Sequence, residues 1–98
     1  MTGRQIADLR ARLKLSAADF ADLLGVGLST AYRWEQFGEA KAPVGAWQLR
    51  LMRLLLAKVT LPPERERGRL VALLRQGLDE GGGLRGLHAF LLHLYGEP

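Results

Sequence analysis

The feature that most constrains this chain is the stretch from Ser16 to Glu35, which encodes two short amphipathic helices around a tight turn. Ser16 can cap the first helix, because its hydroxyl accepts from the free amides of the first turn. Gly25 can adopt a positive φ and end that helix without steric cost. Helices over about 16–24 and 27–37 are too close in sequence to pack antiparallel, so we expect them to cross steeply. This pattern predicts a helix-turn-helix.

A spaced set of residues in this stretch resembles the lambda-repressor-like, Cro-type helix-turn-helix family, and within it the small antitoxin and autoregulator proteins. The matching residues are Ser16, Phe20-Ala21, Leu24-Gly25-Val26, Ser29-Thr30, Tyr32-Arg33-Trp34-Glu35, Gly38 and Pro43. The resemblance covers roughly residues 3–58. It implies a DNA-binding regulator of bacterial, plasmid or phage origin, located in the cytoplasm and associated with the nucleoid.

The distribution of charge agrees with such a function. The net charge is +4, and residues 1–60 hold nine Lys or Arg against five Asp or Glu, whereas residues 61–98 hold five of each. The excess positive charge therefore lies in the part that resembles a DNA reader, as binding to phosphates requires. An ordinary solvated surface would also carry a charge of this size, so charge alone does not decide the function.

The resemblance and the helical periodicity together predict DNA contacts. Arg33 can make a bidentate bond to a guanine edge, and Leu28 can pack on a thymine methyl group. The full set of expected base contacts is Leu28, Ser29, Tyr32 and Arg33. The expected phosphate contacts are Arg10, Ser16, Ala17, Thr30 and Lys41. The resemblance also implies a structural ion pair between Arg10 and Glu35. The alternative interpretation is that these residues are merely the surface of a small helical bundle.

The remainder of residues 1–60 predicts two further helices. Helix one is expected over Gly3 to Leu13, with an apolar stripe facing the core. Helix four is expected from Pro43 to about Val59 and is apolar on most sides. Trp34 and Trp47 could act as stacking platforms for bases, but both lie on apolar stripes, so we expect both in the core.

Residues 61–98 predict a C-terminal helical hairpin that extends the helix-turn-helix domain of residues 1–60. Pro62-Pro63 interrupt the chain, and a fifth helix then runs to about Leu78. A glycine triplet at residues 81–83 separates it from a sixth helix over Leu84 to about Tyr95. The sequence therefore predicts an all-α bundle of five to six helices.

The C-terminal hairpin is expected to form a homodimer contact, because its apolar stripes look too extensive for a chain of this size to bury internally. The outer face of helix four is expected to assist. The predicted dimerisation residues are Leu70, Leu74, Leu84, Leu87, Phe90, Leu91 and Leu94. A two-fold dimer would place two recognition helices about 34 Å apart, one turn of DNA, which suits a palindromic operator.

Composition and spacing argue against catalysis, a metal site or a membrane protein. The chain has no cysteine, so disulfides and thiolate sites are excluded and a reducing compartment is expected. His88 and His93 are five residues apart and so lie on different helix faces, which disfavours joint metal ligation. No run approaches the roughly 20 apolar residues of a membrane span, and no signal region is apparent. We therefore expect that the protein is not an enzyme and uses no cofactor.

These observations lead to one expectation and one alternative. The expectation is a dimeric repressor that reads double-stranded DNA and controls its own operon. Within DNA binding, the runner-up is a phage or plasmid repressor with no protein partner other than itself. The alternative is a protein-interaction module, such as an antitoxin, whose C-terminal hairpin binds a toxin or another partner protein.

Overall fold

The computed structural model describes residues 1–60 and 64–79 together with Leu84, His88, Leu91 and His93, but not the side chains of residues 60, 64–67 and 79. The described residues form an all-helical fold whose five helices are α1 (Gly3–Arg12), α2 (Ala17–Leu23), α3 (Leu28–Gln36), α4 (Ala46–Thr60) and α5 (Glu64–Asp79). This part of the chain contains no strand, only an isolated antiparallel bridge between Thr2 and Lys41. None of its helices is long and apolar enough to cross a membrane.

Helix α1 begins with a complete capping box. The Thr2 hydroxyl accepts from the Gln5 amide at 3.1 Å, and the Gln5 side chain accepts from the Thr2 amide at 2.8 Å. The amides of Thr2 and Gln5, which the helix itself leaves unpaired, are thus satisfied reciprocally. The cap fixes where α1 starts, and therefore where its first residue, Gly3, meets the rest of the domain.

Gly3 brings α1 into direct contact with the backbone at the end of α3. A β-carbon at this position would lie 2.5 Å from the Trp34 carbonyl oxygen and 2.7 Å from the Gly38 nitrogen. The Gly3 amide donates to the Ala40 carbonyl at 3.2 Å, and the next amide, of Arg4, donates to the Gly38 carbonyl at 2.8 Å. Only glycine allows this approach, because any side chain would overlap backbone atoms.

The ends of α2 and α3 follow the sequence signals closely. The Ser16 hydroxyl accepts from the Asp19 amide at 3.1 Å and caps α2. Gly25, just beyond the end of α2, has φ +67°, and Gly38, just beyond the end of α3, has φ +57°. These left-handed conformations let the chain leave each helix without a steric penalty. Gly27 begins α3 without a side-chain cap.

A continuous hydrophobic core joins all five helices. Helix α1 packs against α3 and α4, α2 packs against α3, and α4 packs against α5. The fully buried large side chains are Ile6, Leu9, Leu13, Phe20, Leu23, Leu24, Leu51, Met52, Leu55, Leu70, Leu74 and Leu84. Because α1 and α5 contribute to the same cluster, the core continues across residue 60, where the sequence suggests a domain boundary.

Helix α4 corrects two predictions. It begins at Ala46 rather than at Pro43, because the preceding residues are held in a non-helical connection beside the N-terminus. There the Ala42 amide donates to the Met1 carbonyl at 3.1 Å. Trp47 is not a core residue, since it is 36% exposed and its ring stacks on His88 with centroids 4.5 Å apart. Trp34, by contrast, is buried as predicted.

Four of the predicted dimerisation leucines are covered within a single chain. Leu70, Leu74, Leu84 and Leu91 are almost completely buried inside a single chain and belong to its core cluster. A side chain that is already covered has no surface left to offer to a second copy. The other three predicted dimerisation residues, Leu87, Phe90 and Leu94, lie outside the described residues.

The predicted sixth helix is described at four positions. His88, Leu91 and His93 are helical, and Leu84 lies at a bend. The glycine triplet at residues 81–83 falls outside the described residues.

Candidate nucleic-acid interface

The outer face of α3 presents the predicted base-contacting residues to solvent. Ala31 and Trp34 are buried, which turns the opposite side of the helix outward. On that side lie Leu28, Ser29, Tyr32 and Arg33, all exposed. Leu28 is 43% exposed and Tyr32 is 53% exposed. Leu28 and Tyr32 are four residues apart and therefore neighbours on the helix surface, so the face is a candidate for contact with another molecule.

An ion pair fixes α3 to α1 behind this face. Arg10 Nε donates to Glu35 Oε2 at 2.9 Å and Nη2 donates to Oε1 at 3.0 Å, so the pair is bidentate. Arg10 Nη1 also donates to the Leu15 carbonyl at 3.2 Å. The side chains are 28% and 16% exposed, respectively. Partial burial and two parallel bonds make this contact geometrically specific. It sets the rotation of α3 relative to α1.

The pair also acts on the protonation of the arginine. The hydrogen bond to Glu35 is the main cause that raises the pKa of Arg10, and it outweighs the opposing effect of burial. A raised pKa in the folded state means that the stabilisation is present below the unfolded pKa and is lost only as pH rises through the folded one. For an arginine both lie in strong alkali, so the cation persists throughout the usable pH range.

The residues predicted to contact phosphates differ in their exposure and in the hydrogen bonds that they already form. Lys41 is exposed in the connection between α3 and α4, and Thr30 is half-buried. Ser16 is exposed, but its hydroxyl oxygen already accepts from the Asp19 amide. The Ala17 side chain is buried, so only its backbone amide could face a phosphate. Arg10 is committed to Glu35 and Leu15 through three of its nitrogens, which makes positioning its main structural role.

Ion pairing refines the simple count of charges. Arg4 pairs with Glu39, Arg10 with Glu35 and Arg12 with Asp8. Another set of cations in the described part of the chain is exposed and forms no ion pair with any described residue. These are Lys14, Arg33, Lys41, Arg50, Arg53, Arg69 and Arg75. Such cations therefore lie on α3, on the connection that follows it, in the turn after α1, on α4 and on α5.

Sequence reasoning missed the contacts that surround the turn between α2 and α3. The Trp47 ring lies against this turn, 3.4 Å from the place that a β-carbon of Gly25 would occupy. The same ring stacks on His88, so it links the turn to the C-terminal part of the chain. A tryptophan on an apolar helix predicts burial but does not indicate which edge stays in solvent. No signal in the sequence would have placed His88 beside it.

The described residues contain no group of three or more His, Cys, Asp or Glu side chains arranged to hold a metal ion.

Comparison with known proteins identifies no relative of this chain: no family model, no curated protein and no solved structure matches it.

Proposed function

We propose that the protein is a sequence-specific regulator that binds double-stranded DNA through a helix-turn-helix formed by α2 and α3. The observation that carries this proposal is the outer face of α3, where four exposed side chains of mixed chemistry stand opposite the buried Ala31 and Trp34. A helix with this face fits the width of a major groove. The Arg10–Glu35 pair supports the proposal, because base readout requires a recognition helix of fixed orientation.

Each residue on this face would have a distinct role. The exposed Arg33 fork matches the O6 and N7 acceptors of guanine, and Leu28 would pack on a thymine methyl group. Ser29 and Tyr32 carry hydroxyl groups that can donate to or accept from base edges. Lys41 would supply a point charge to a phosphate, which positions the protein without reading sequence.

Phosphates would also be contacted by Thr30 and by the first turn of α2 at Ser16 and Ala17. Arg10 would contribute by holding α3 in position rather than by direct contact. We propose that the protein acts as a dimeric repressor of its own operon on a palindromic site. Leu70, Leu74, Leu84 and Leu91 are buried within the chain, so of the predicted dimer residues we favour Leu87, Phe90 and Leu94 for the contact.

The test is binding of the full chain to a duplex from its own upstream region, measured by fluorescence anisotropy over a range of salt. We expect tight binding that weakens steeply between about 50 and 200 mM salt, because phosphate neutralisation releases counterions. An absence of binding at low salt would remove the DNA-reading proposal and favour a helix-turn-helix retained only as a scaffold for a partner protein.

Two variants separate the proposed roles. Arg33→Ala should lose about 1–3 kcal/mol of binding free energy on the cognate duplex. It should also relax the preference for one particular base pair in each half-site. Lys41→Ala should weaken binding to all duplexes alike and reduce the salt slope by about one unit per bound protomer. If Arg33→Ala weakens binding to every duplex equally, Arg33 contacts a phosphate and the specificity must come from Leu28, Ser29 and Tyr32.

A further inference from the structure

Helix α4 has an outward face with a consistent positive charge. Its residues include three basic side chains and no acidic one. Leu51, Met52 and Leu55 turn one side of the helix into the core, where they are fully buried. Arg50 and Arg53 lie one turn apart on the other side and are exposed. Neither forms an ion pair with any described residue, so their charge is available to another molecule.

Apolar side chains of α4 lie beside these two arginines. Ala46, Leu49 and Leu54 join Arg50 and Arg53 in lining a shallow, open groove of about 290 Å³ along this one helix. Leu49 and Leu54 are half-buried, so each keeps part of its side chain in contact with water. The groove thus combines two unpaired guanidinium groups, spaced by one helical turn, with an apolar floor that a ligand could cover.

We propose that this groove docks an acidic amphipathic helix of a partner protein. Carboxylates one turn apart on such a helix match the spacing of Arg50 and Arg53, and each guanidinium can bind a carboxylate through two hydrogen bonds. An apolar side chain between the carboxylates would cover Leu49 and Leu54. The partner helix would pack along α4, with affinity from the apolar contact and partner choice from the charges.

Charge and chemistry disfavour three other occupants of this surface. A two-fold contact between copies places the same patch against itself, so it would bring the arginines of both copies close together. Like charges in an interface disfavour that pairing. A DNA backbone would satisfy the guanidinium groups but would leave the apolar floor uncovered. The groove is also open and small for a site that encloses a small molecule. The inference does not depend on whether α3 reads DNA.

The experiment uses the full isotope-labelled chain and a synthetic helical peptide that carries two glutamates one turn apart around a leucine. Amide chemical shifts should move at Ala46, Leu49 and Leu54, with a dissociation constant of about 0.1 mM. The same peptide with both glutamates replaced by glutamine should bind about tenfold more weakly, because it cannot pair with the arginines.

Variants of the protein make the test specific. Arg50→Glu and Arg53→Glu should each weaken binding of the glutamate peptide several-fold. The double variant should instead bind a peptide that carries lysines in place of the two glutamates. Arg69→Glu, an equal change of net charge at an exposed arginine of α5, is the matched control and should leave binding unchanged. Circular dichroism checks that each variant remains helical, as expected for substitutions of exposed residues.

Four results would overturn the proposal. The first is the absence of shifts on α4 up to about 1 mM peptide. The second is that the Arg69→Glu control weakens peptide binding as much as the α4 variants do, because the effect would then come from net charge alone. The third is a set of α4 shifts caused by duplex DNA but not by the peptide, which would make Arg50 and Arg53 phosphate contacts. The fourth is concentration-dependent self-association that Arg50→Glu abolishes, which would make the face a contact between copies.

Discussion

The region of α1 to α3 and the region of α4 and α5 share one hydrophobic core, but specific polar and backbone contacts are added to it mainly in the first region. In the first region, contacts of fixed geometry join the helices, such as the bidentate Arg10–Glu35 pair and the close approach of Gly3 to the α3 backbone. In the second region, α5 contributes Leu70 and Leu74 to a core shared with the rest of the chain. Hydrogen bonds and glycine contacts specify one arrangement, whereas apolar burial specifies only that a surface be covered.

This difference matters for function, because a base-reading helix needs its orientation fixed to a fraction of a groove width. Helix α3 receives that orientation from α1 through two contacts near its C-terminal end, the Arg10–Glu35 pair and the backbone contacts around Gly3. The buried leucines of α5 do not fix the orientation of a reading helix, and their burial stabilises the folded state. We therefore expect substitutions in the α5 core to change stability most, and substitutions in the α1–α3 contacts to change DNA readout as well.

The largest expected effect is that of Leu74→Ala. Removal of a fully buried leucine from the core should cost about 3–4 kcal/mol in the free energy of unfolding, measured by urea denaturation. The half-buried neighbour Leu73→Ala is the control and should cost about 1 kcal/mol. If Leu74→Ala leaves the monomer unchanged and weakens only a dimer, the leucine belongs to an interface between chains instead.

Gly3→Ala should be the next most harmful change. The added β-carbon would meet backbone atoms of Trp34, Glu35 and Gly38 at 2.5–2.9 Å, and backbone cannot move aside as a side chain can. We expect a loss of about 2–3 kcal/mol. Gly68→Ala, on an exposed turn of α5 with no atom within 4 Å of the new carbon, should instead gain about 0.5–1 kcal/mol. Equal responses of the two glycines to alanine would refute the close approach.

Arg10→Met tests the ion pair. It leaves the partly buried Glu35 carboxylate without its partner, so we expect a loss of about 2 kcal/mol in the free energy of unfolding. Arg12→Met breaks the exposed pair with Asp8 on the same helix and should cost at most about 0.5 kcal/mol. Thermal denaturation of both variants at low and high salt separates them. Identical melting temperatures would show that partial burial adds nothing to the Arg10 pair.

The smallest effect is expected at Lys14, which links the two regions. Its φ of +58° is unfavourable for a residue with a side chain, and its carbonyl accepts from Arg75 of α5 at 3.1 Å. Lys14→Gly removes the strain and keeps the carbonyl, so stability should rise by about 0.5–1 kcal/mol. Lys14→Ala is the control, because it removes the charge but not the strain. A gain in the alanine variant equal to that in glycine would contradict the strain argument.

Much of the first region could be predicted from the sequence because its signals are local. The cap at Ser16 and the positive-φ glycines at Gly25 and Gly38 act on their own neighbours, so a short stretch of sequence contains the whole signal. The Arg10–Glu35 pair, 25 residues apart, was expected only because the spaced motif resembles a known family. The exposed face of α3 followed from the resemblance together with the burial expected of Trp34.

The remainder could not be predicted because periodicity identifies an apolar face but not what covers it. The leucine stripe of α5 is equally compatible with a core and with a dimer contact, and only the packing of α4 on α5 decides that Leu70 and Leu74 are covered within the chain. Gly3 carries no signal either, since its value lies in the absence of a side chain opposite residues more than thirty positions away.

The most direct test of the proposed function is a map of amide chemical shifts in the labelled chain upon addition of the duplex from its own upstream region. We predict that the largest changes in amide chemical shift fall on Leu28, Ser29, Tyr32, Arg33 and Lys41. The amide shifts of Leu70 and Leu74, in the core of α5, should not change. Changes concentrated away from α3, with residues 28–33 unaffected at saturating DNA, would contradict the assignment of α3 as the helix that reads DNA.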